Sequence, residues 1–318
     1  MKLRYIYSFK TVSSHPIRTG ILIPKTLPPT AGPRPVIYHL HGGFLVTAHG
    51  LFAPFFPKWV DALALEQGAI IVSPDYRLLP SANGVADVLE DLEDGWRWTK
   101  DVLPGLLRTR APGVEMDLSQ TLIAGGSAGG YCAIQLALSH PSDFTTAAVV
   151  YPLIDLKDHV YTAGPRPSEP TVLRFAPADI PSSQDTLSWL EEKRSSLETR
   201  DGFERIPFAV AACTHGLFYS HVLDNRGLRE PGFYPLDRVA AGAKLPSRLW
   251  LMHGSDDSTV RQAGSDAFVS LARETLPGTE VRYDVVPGED HGFDFDVGRW
   301  ASIRPAALDF VKQGWLKM

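Results

Sequence analysis

Five short apolar runs constrain what this chain can fold into. Val36-Ile-Tyr-His-Leu40, Ala69-Ile-Ile-Val-Ser73, Thr121-Leu-Ile-Ala124, Ala147-Ala-Val-Val-Tyr151 and Arg248-Leu-Trp-Leu-Met252 are too short for helices and mostly rich in β-branched residues. Runs of this kind are strands covered on both faces. Between and after them lie helical periodicities over Pro57 to Glu66, Gly84 to Val102, Ser127 to Leu138, Gln262 to Arg273 and Ser302 to Trp315. Glu280 to Val286 alternates like a half-exposed strand at a sheet edge, where it could pair across a two-fold in a dimer. The alternation predicts an α/β fold with a mostly parallel central sheet and helices on both faces. Two further short strands are expected at Arg4 to Thr11 and Ile21 to Pro24, broken by Pro16, Pro28 and Pro29. The acidic side of the second helix, Asp87 to Asp94, reads as a solvated surface.

One stretch breaks the rhythm. From Leu153 to Leu245 there is no buried-strand run, and helices are expected only near Gln184 to Leu197 and Phe208 to Leu223. Some ninety residues are too many for a connection between strands. The expected organisation is therefore a core of residues 1–152 and 246–318 with a mainly helical cap inserted at 153–245.

Charge and cysteine content exclude several functions. Lys plus Arg number 31 against 36 Asp plus Glu, so there is no basic excess to neutralise phosphates, and no nucleic-acid partner is expected. Two cysteines, Cys132 and Cys213, cannot build a disulfide framework or a zinc site, and both read as small buried residues. No apolar window is long enough to span a bilayer, and Met1 to Gly20 lacks the apolar run of a secretory signal. A metal-free, cytoplasmic chain, monomeric or homodimeric, is expected.

Gly125-Gly126-Ser127-Ala128-Gly129-Gly130 follows an expected strand and opens an expected helix. A serine there sits on a tight turn with its hydroxyl exposed, and glycines two before and two after it remove Cβ atoms that would collide. A nucleophilic serine needs a base, and the base an orienting acid. His291, in Glu289-Asp290-His291-Gly292-Phe293, and Asp257, in His253-Gly-Ser-Asp-Asp257-Ser-Thr-Val260, both follow strands. Asp256 competes for the acid role; motif position favours Asp257, and the other could cap the helix that begins after Val260. His41-Gly42-Gly43-Phe44 after the first buried run, together with the N–H of Ala128, can supply backbone donors for an oxyanion.

These residues, with Asp75-Tyr-Arg-Leu-Leu-Pro80, resemble the hormone-sensitive-lipase-like carboxylesterases of the α/β-hydrolase superfamily (α/β-hydrolase fold-3). The resemblance runs from about Pro35 to the C-terminus, apart from the divergent segment Leu153 to Leu245. It implies a Ser127, Asp257, His291 triad, an oxyanion hole from the N–H groups of Gly43, Phe44 and Ala128, a cap that shapes the substrate pockets, and no cofactor. Asp75 and Arg77 are implied to brace the oxyanion loop. Phe44 departs from the family's third small residue, so its ring is expected to narrow or line the pocket; Ser81 stands where relatives carry Glu. Gly42, Phe52 and Phe218 are expected at the substrate, with Leu51, Phe55 and Phe56 in the same loop facing either substrate or cap. The expected activity is cleavage of a small-molecule acyl ester or thioester through an acyl-enzyme on Ser127. A related alternative is transfer or lactonisation of an acyl chain in an apolar chamber formed by Phe208, Leu217, Phe218 and Tyr219. A further alternative is a non-catalytic ligand receptor, disfavoured because the histidine is retained.

Overall fold

The computed structural model describes residues 2–25, 32–223, 231–295, 300 and 305–317. Eight strands form one sheet: β1 (Lys2–Val12), β2 (His15–Pro24), β3 (Arg34–Leu40), β4 (Ile70–Pro74), β5 (Met116–Gly126), β6 (Thr146–Val150), β7 (Arg248–Gly254) and β8 (Glu280–Val286). Their order is β1-β2-β4-β3-β5-β6-β7-β8. The first two pairings are antiparallel and the rest parallel. Pro16 does not break the hairpin: it pairs with Thr11, beside the turn, where little pairing is lost. Pro28 and Pro29 lie outside the described residues.

Ten α-helices are described: α1 (Lys58–Gln67), α2 (Val85–Asp101), α3 (Leu103–Arg110), α4 (Ala128–Ser139), α5 (His159–Thr162), α6 (Ser183–Arg194), α7 (Ile206–Thr214), α8 (Pro235–Ala240), α9 (Gln262–Thr275) and α10 (Pro305–Trp315). Alternate strand residues face two separate cores, as a doubly covered sheet requires. Ile37, Ile71, Leu122, Ala148 and Trp250 meet α1 and α10 on one side. Val36, Val72, Ile123, Val149 and Leu251 lie in the core that includes α2, α4 and α9 on the other. The α/β-hydrolase expectation of a mostly parallel sheet with helices on both faces is met.

From β3 the chain moves one way to β4, then returns to place β5 on the other side of β3. The crevice at such a reversal, outside the carboxyl ends of the strands, is where open α/β sheets bind ligands. His41 to Phe44 leave β3 there, and Ser127 leaves β5.

The acidic side of α2 is solvated only in part: Glu90 is exposed. Asp87 and Asp91 are buried. Arg77 donates to Asp87 Oδ1 at 2.8 Å and to both Asp91 oxygens at 2.8 Å, while Lys10 Nζ reaches Asp91 Oδ1 at 2.9 Å. Helical periodicity locates a polar face but not the cation that folds over it. Arg77 therefore fastens α2 to the strand-end segment, and its guanidinium contacts are with α2 rather than with the loop after β3.

Residues 153–245, between β6 and β7, carry α5 to α8 and short 3-10 turns. The expected helix over Phe208 to Leu223 is instead α7, ending at Thr214, and a separate π turn over Phe218–Val222. Gly216, at φ 67°, takes the left-handed conformation between them. Among the described residues no helix is long and apolar enough to cross a membrane.

Removing the Arg77 cation would leave buried Asp87 with no counter-ion and buried Asp91 with Lys10 alone. Arg77→Met is expected to lower unfolding free energy by about 3 to 5 kcal/mol in urea titrations; a change below about 1 kcal/mol would mean the cluster is solvated and weak.

Candidate active site

The turn after β5 is shaped by close backbone contact. Ser127 has φ 56° and ψ −127°, a region L-residues rarely enter. Its N–H donates to Val150 O at 3.0 Å, and its carbonyl accepts from Gly130 N and Leu153 N. A Cβ at Gly125 would lie 2.2 Å from Gly129 O, and one at Gly129 would lie 2.2 Å from Leu40 O. No larger residue fits either position, so the glycines allow α4 to start hard against β5 and the end of β3.

The Ser127 hydroxyl lies 3.0 Å from His291 Nε2, and His291 Nδ1 lies 2.8 Å from Asp257 Oδ2. The Asp257 side chain is fully buried, and its Oδ1 accepts from the N–H groups of Thr259 and Val260 at 2.9 and 2.8 Å. Burial alone would raise its pKa. The imidazoles of His291 and His253 outweigh that and hold the carboxyl well below the usual range. An ionised carboxylate thus fixes His291 with its proton on Nδ1 and its lone pair on the serine. Asp256 does not share this place: its Oδ1 accepts from Ser255, and it does not cap α9, whose cap residue is Arg261.

The loop after β3 lies against the serine. A Cβ at Gly42 would stand 3.0 Å from Gly126 O and 3.5 Å from Ser127 Cβ. Gly43, Phe44 and Leu45 have φ of 104°, 58° and 64°, a strained run. Among the described residues, the N–H groups of Gly43 and Phe44 donate to no backbone carbonyl. Ala128 is the first residue of α4, where N–H groups lack intrahelical partners.

Several contacts hold this loop. The Tyr76 hydroxyl donates to His41 O at 2.8 Å and its ring stacks on the His41 imidazole at 4.1 Å. Leu79 N donates to Leu45 O at 2.8 Å, and Asp75 Oδ1 accepts from Gly50 N at 2.9 Å. The segment after α6 adds a clamp that the sequence did not disclose: Thr47 donates to Asp201, Asp201 N to Ala48 O, and Arg205 to Val46 O and Leu79 O. Asp75, implied as a brace, meets the loop; Arg77, implied as another, has its guanidinium on α2. Ser81 donates to Gly84 O at 3.2 Å and stays local.

Ser127 and His291 open onto a cavity of about 470 Å³. Gly42, Gly43 and Phe44 line it, as do Phe55, Tyr151 and Phe295 from the core. Leu173, Phe175, Phe203, Ile206 and Pro207 close it from the 153–245 segment. Phe52 and Phe218, expected at the substrate, are not among the lining residues. Phe52 packs edge-on to Phe55 and Phe203 from behind, and Phe218 is fully buried between Phe44 and Tyr161. The expected chamber of Phe208, Leu217, Phe218 and Tyr219 is packing: Phe208 stacks on Trp189, and the Tyr219 hydroxyl meets that of Tyr234. Phe203 and Phe295 have no periodicity to mark them: Phe203 lies in a bend and Phe295 ends the short 3-10 helix Phe293–Phe295.

Asp75 makes a test by pH. Burial pushes its pKa up to about 6, although the Gly50 N–H and the Arg200 and Arg18 cations pull the other way. Its second oxygen lacks a hydrogen-bond partner, and Arg200 Nε stands 3.9 Å away. A folded pKa above the unfolded one makes a contribution that is full below about pH 4 and lost as pH rises through 6. Asp75→Asn keeps the acceptor for Gly50 without the charge. Its stability relative to the parent is expected to grow by about 2.4 kcal/mol between pH 4 and pH 7.5 in urea titrations; a flat difference would show an ion pair with Arg200 instead.

The chain matches the family model described as alpha/beta hydrolase fold over residues 37–295. It is 31% identical over 98% of its length to a probable carboxylesterase M8 of Phoma sp., covering 96% of that protein. It is also 28% identical over 95% of its length to the methylphloroacetophenone synthase of Cladonia uncialis, of which it covers 13%. Among solved structures, carboxyl esterase 2 of Tuber melanosporum superposes with a TM-score of 0.60 at 18% identity, over 99% of this chain and 88% of that one, a likeness of fold. With the matched region taking in the end of β3, the serine turn and His291, the chain belongs to the α/β-hydrolase family.

Proposed function

We propose that this protein is a serine hydrolase that cleaves carboxylic esters of small, largely apolar molecules through an acyl-enzyme on Ser127. The observation that carries the reading is the unbroken hydrogen-bonded chain from the Ser127 hydroxyl through His291 to buried Asp257, opening on an apolar cavity. The kinship with a probable carboxylesterase along nearly the whole of both chains supports ester hydrolysis as the reaction.

His291 Nε2 takes the Ser127 proton as Oγ attacks the substrate carbonyl. Asp257 holds the ring and stabilises the imidazolium. The N–H groups of Gly43, Phe44 and Ala128 receive the oxyanion, and the strained, clamped loop holds them without reorganisation. Collapse of the tetrahedral species breaks the ester C–O bond, with the His291 proton leaving on the alcohol. Water then gives a proton to His291 as it attacks the acyl carbon, and collapse breaks the bond to Ser127 Oγ, which takes that proton back from His291 as the acid is released. The 153–245 segment acts as a cap: its Leu173, Phe175 and Phe203 keep bulk water from the apolar end of the cavity. A thioester carbonyl presents the same electrophile to Ser127 and the same oxyanion to these N–H groups.

With short and medium p-nitrophenyl acyl esters, Ser127→Ala and His291→Ala are each expected to lower kcat/KM about ten-thousandfold, with Asp257→Asn close behind. Undiminished turnover in Ser127→Ala would overturn the reading.

A further inference from the structure

Two lining side chains carry polar atoms that the ester-cleaving apparatus does not use, His39 and Tyr151. His39, on β3, lines it beside an otherwise apolar wall and is 1% exposed. Its Nδ1 lies 2.9 Å from Ser73 Oγ. Ser73 Oγ also lies 2.6 Å from Gly50 O and 3.2 Å from His39 O, both of which only accept. The single hydroxyl proton must go to a carbonyl, so the Nδ1 position carries a hydrogen and donates to Ser73. Burial pushes the ring's pKa down to about 3, so it is neutral, with the remaining lone pair on Nε2. The ring packs against Phe56 at 4.8 Å, which holds its orientation.

Among the described residues Nε2 meets no hydrogen-bond donor. The other polar side chains of the lining are engaged: Ser127 with His291, and the Tyr151 hydroxyl with Asp294. An acceptor left bare in an apolar cavity is costly unless the occupant supplies a donor. Phe55 stands edge-on to Phe203 and stacked on Phe295, a surround suited to a flat ring.

We propose that the cavity selects uncharged aromatic esters that carry a hydroxyl, and that His39 is the specificity-determining residue that accepts from it. The inference rests on the ester-hydrolase reading for which bond is broken, while the recognition itself is a matter of binding. A site built around a substrate hydroxyl discriminates against the analogue that lacks it, because its own acceptor is then left unpaired.

Binding is therefore measured in Ser127→Ala, which leaves esters intact, by calorimetry. The probes are ethyl esters of the three hydroxybenzoic acids, acetates of the three hydroxybenzyl alcohols, and the methoxy counterpart of each. At least one hydroxylated probe is expected to bind about tenfold more tightly than its methoxy counterpart, with the ratio falling to near one in Ser127→Ala/His39→Leu. The ratio is insensitive to a general loss of fit. Should the double variant fail to fold, the ¹⁵N shift of His39 Nε2 in Ser127→Ala is expected to move with the tight hydroxylated probe and not with its methoxy partner. No hydroxyl preference, a preference that survives His39→Leu, or an unmoved Nε2 signal would overturn the proposal. Turnover of the same esters by the parent protein is scored separately: preference without turnover would sink the hydrolase reading alone, and turnover without preference the role of His39 alone.

Discussion

The site depends on a backbone contact that only glycine permits. Gly129, in the first turn of α4, sits where a Cβ would be 2.2 Å from Leu40 O, and Gly42 sits where one would be 3.0 Å from Gly126 O. These approaches bring the ends of β3 and β5 together, continuing the pairing of Leu40 with Gly125. The serine then lies beside the N–H groups of the β3 loop at the point where strand order reverses. The proposed chemistry follows from that juxtaposition, since a nucleophile and oxyanion donors are useful only a few ångströms apart.

Around it, the structure spends buried charge on holding loops. Asp257 is kept ionised by His291 and His253, Asp75 fixes Gly50, and Arg205 reaches Val46 and Leu79 from the far side of the 153–245 segment. Such groups are expensive to bury: Asp257 and Arg205 are offset by hydrogen bonds and an opposite charge, while Asp75 has one N–H donor and a raised pKa. The result is a rigid polar frame beneath a soft aromatic lining, the combination expected where reacting atoms must be placed and a variable apolar group accommodated.

The centre of the sheet was legible because its strands are apolar on both faces, so each buried run marks itself. The serine turn was legible because glycine spacing reports a steric demand, and His291 and Asp257 because they follow strands in an order one architecture uses. What escaped detection depended on contacts distant in sequence. Asp87 and Asp91 looked solvated until Arg77 folded over them, and Phe52 and Phe218 looked available until Phe203 and Tyr161 covered them. The cavity's own wall, Leu173 and Phe203 among it, comes from loops where no period distinguishes a lining residue from a packed one. His39 was hidden for the opposite reason: inside an apolar run it reads as strand, and its free nitrogen appears only once Ser73 and Gly50 are located.

The central claim is that Ser127 is an activated nucleophile. The direct measurement is mass spectrometry of the intact protein and its peptides after brief treatment with an alkyl fluorophosphonate, alongside His291→Ala. The account predicts a single adduct on the peptide containing Ser127, formed rapidly in the parent and far more slowly without His291. An unlabelled Ser127, or labelling at the same rate in both proteins, would contradict it.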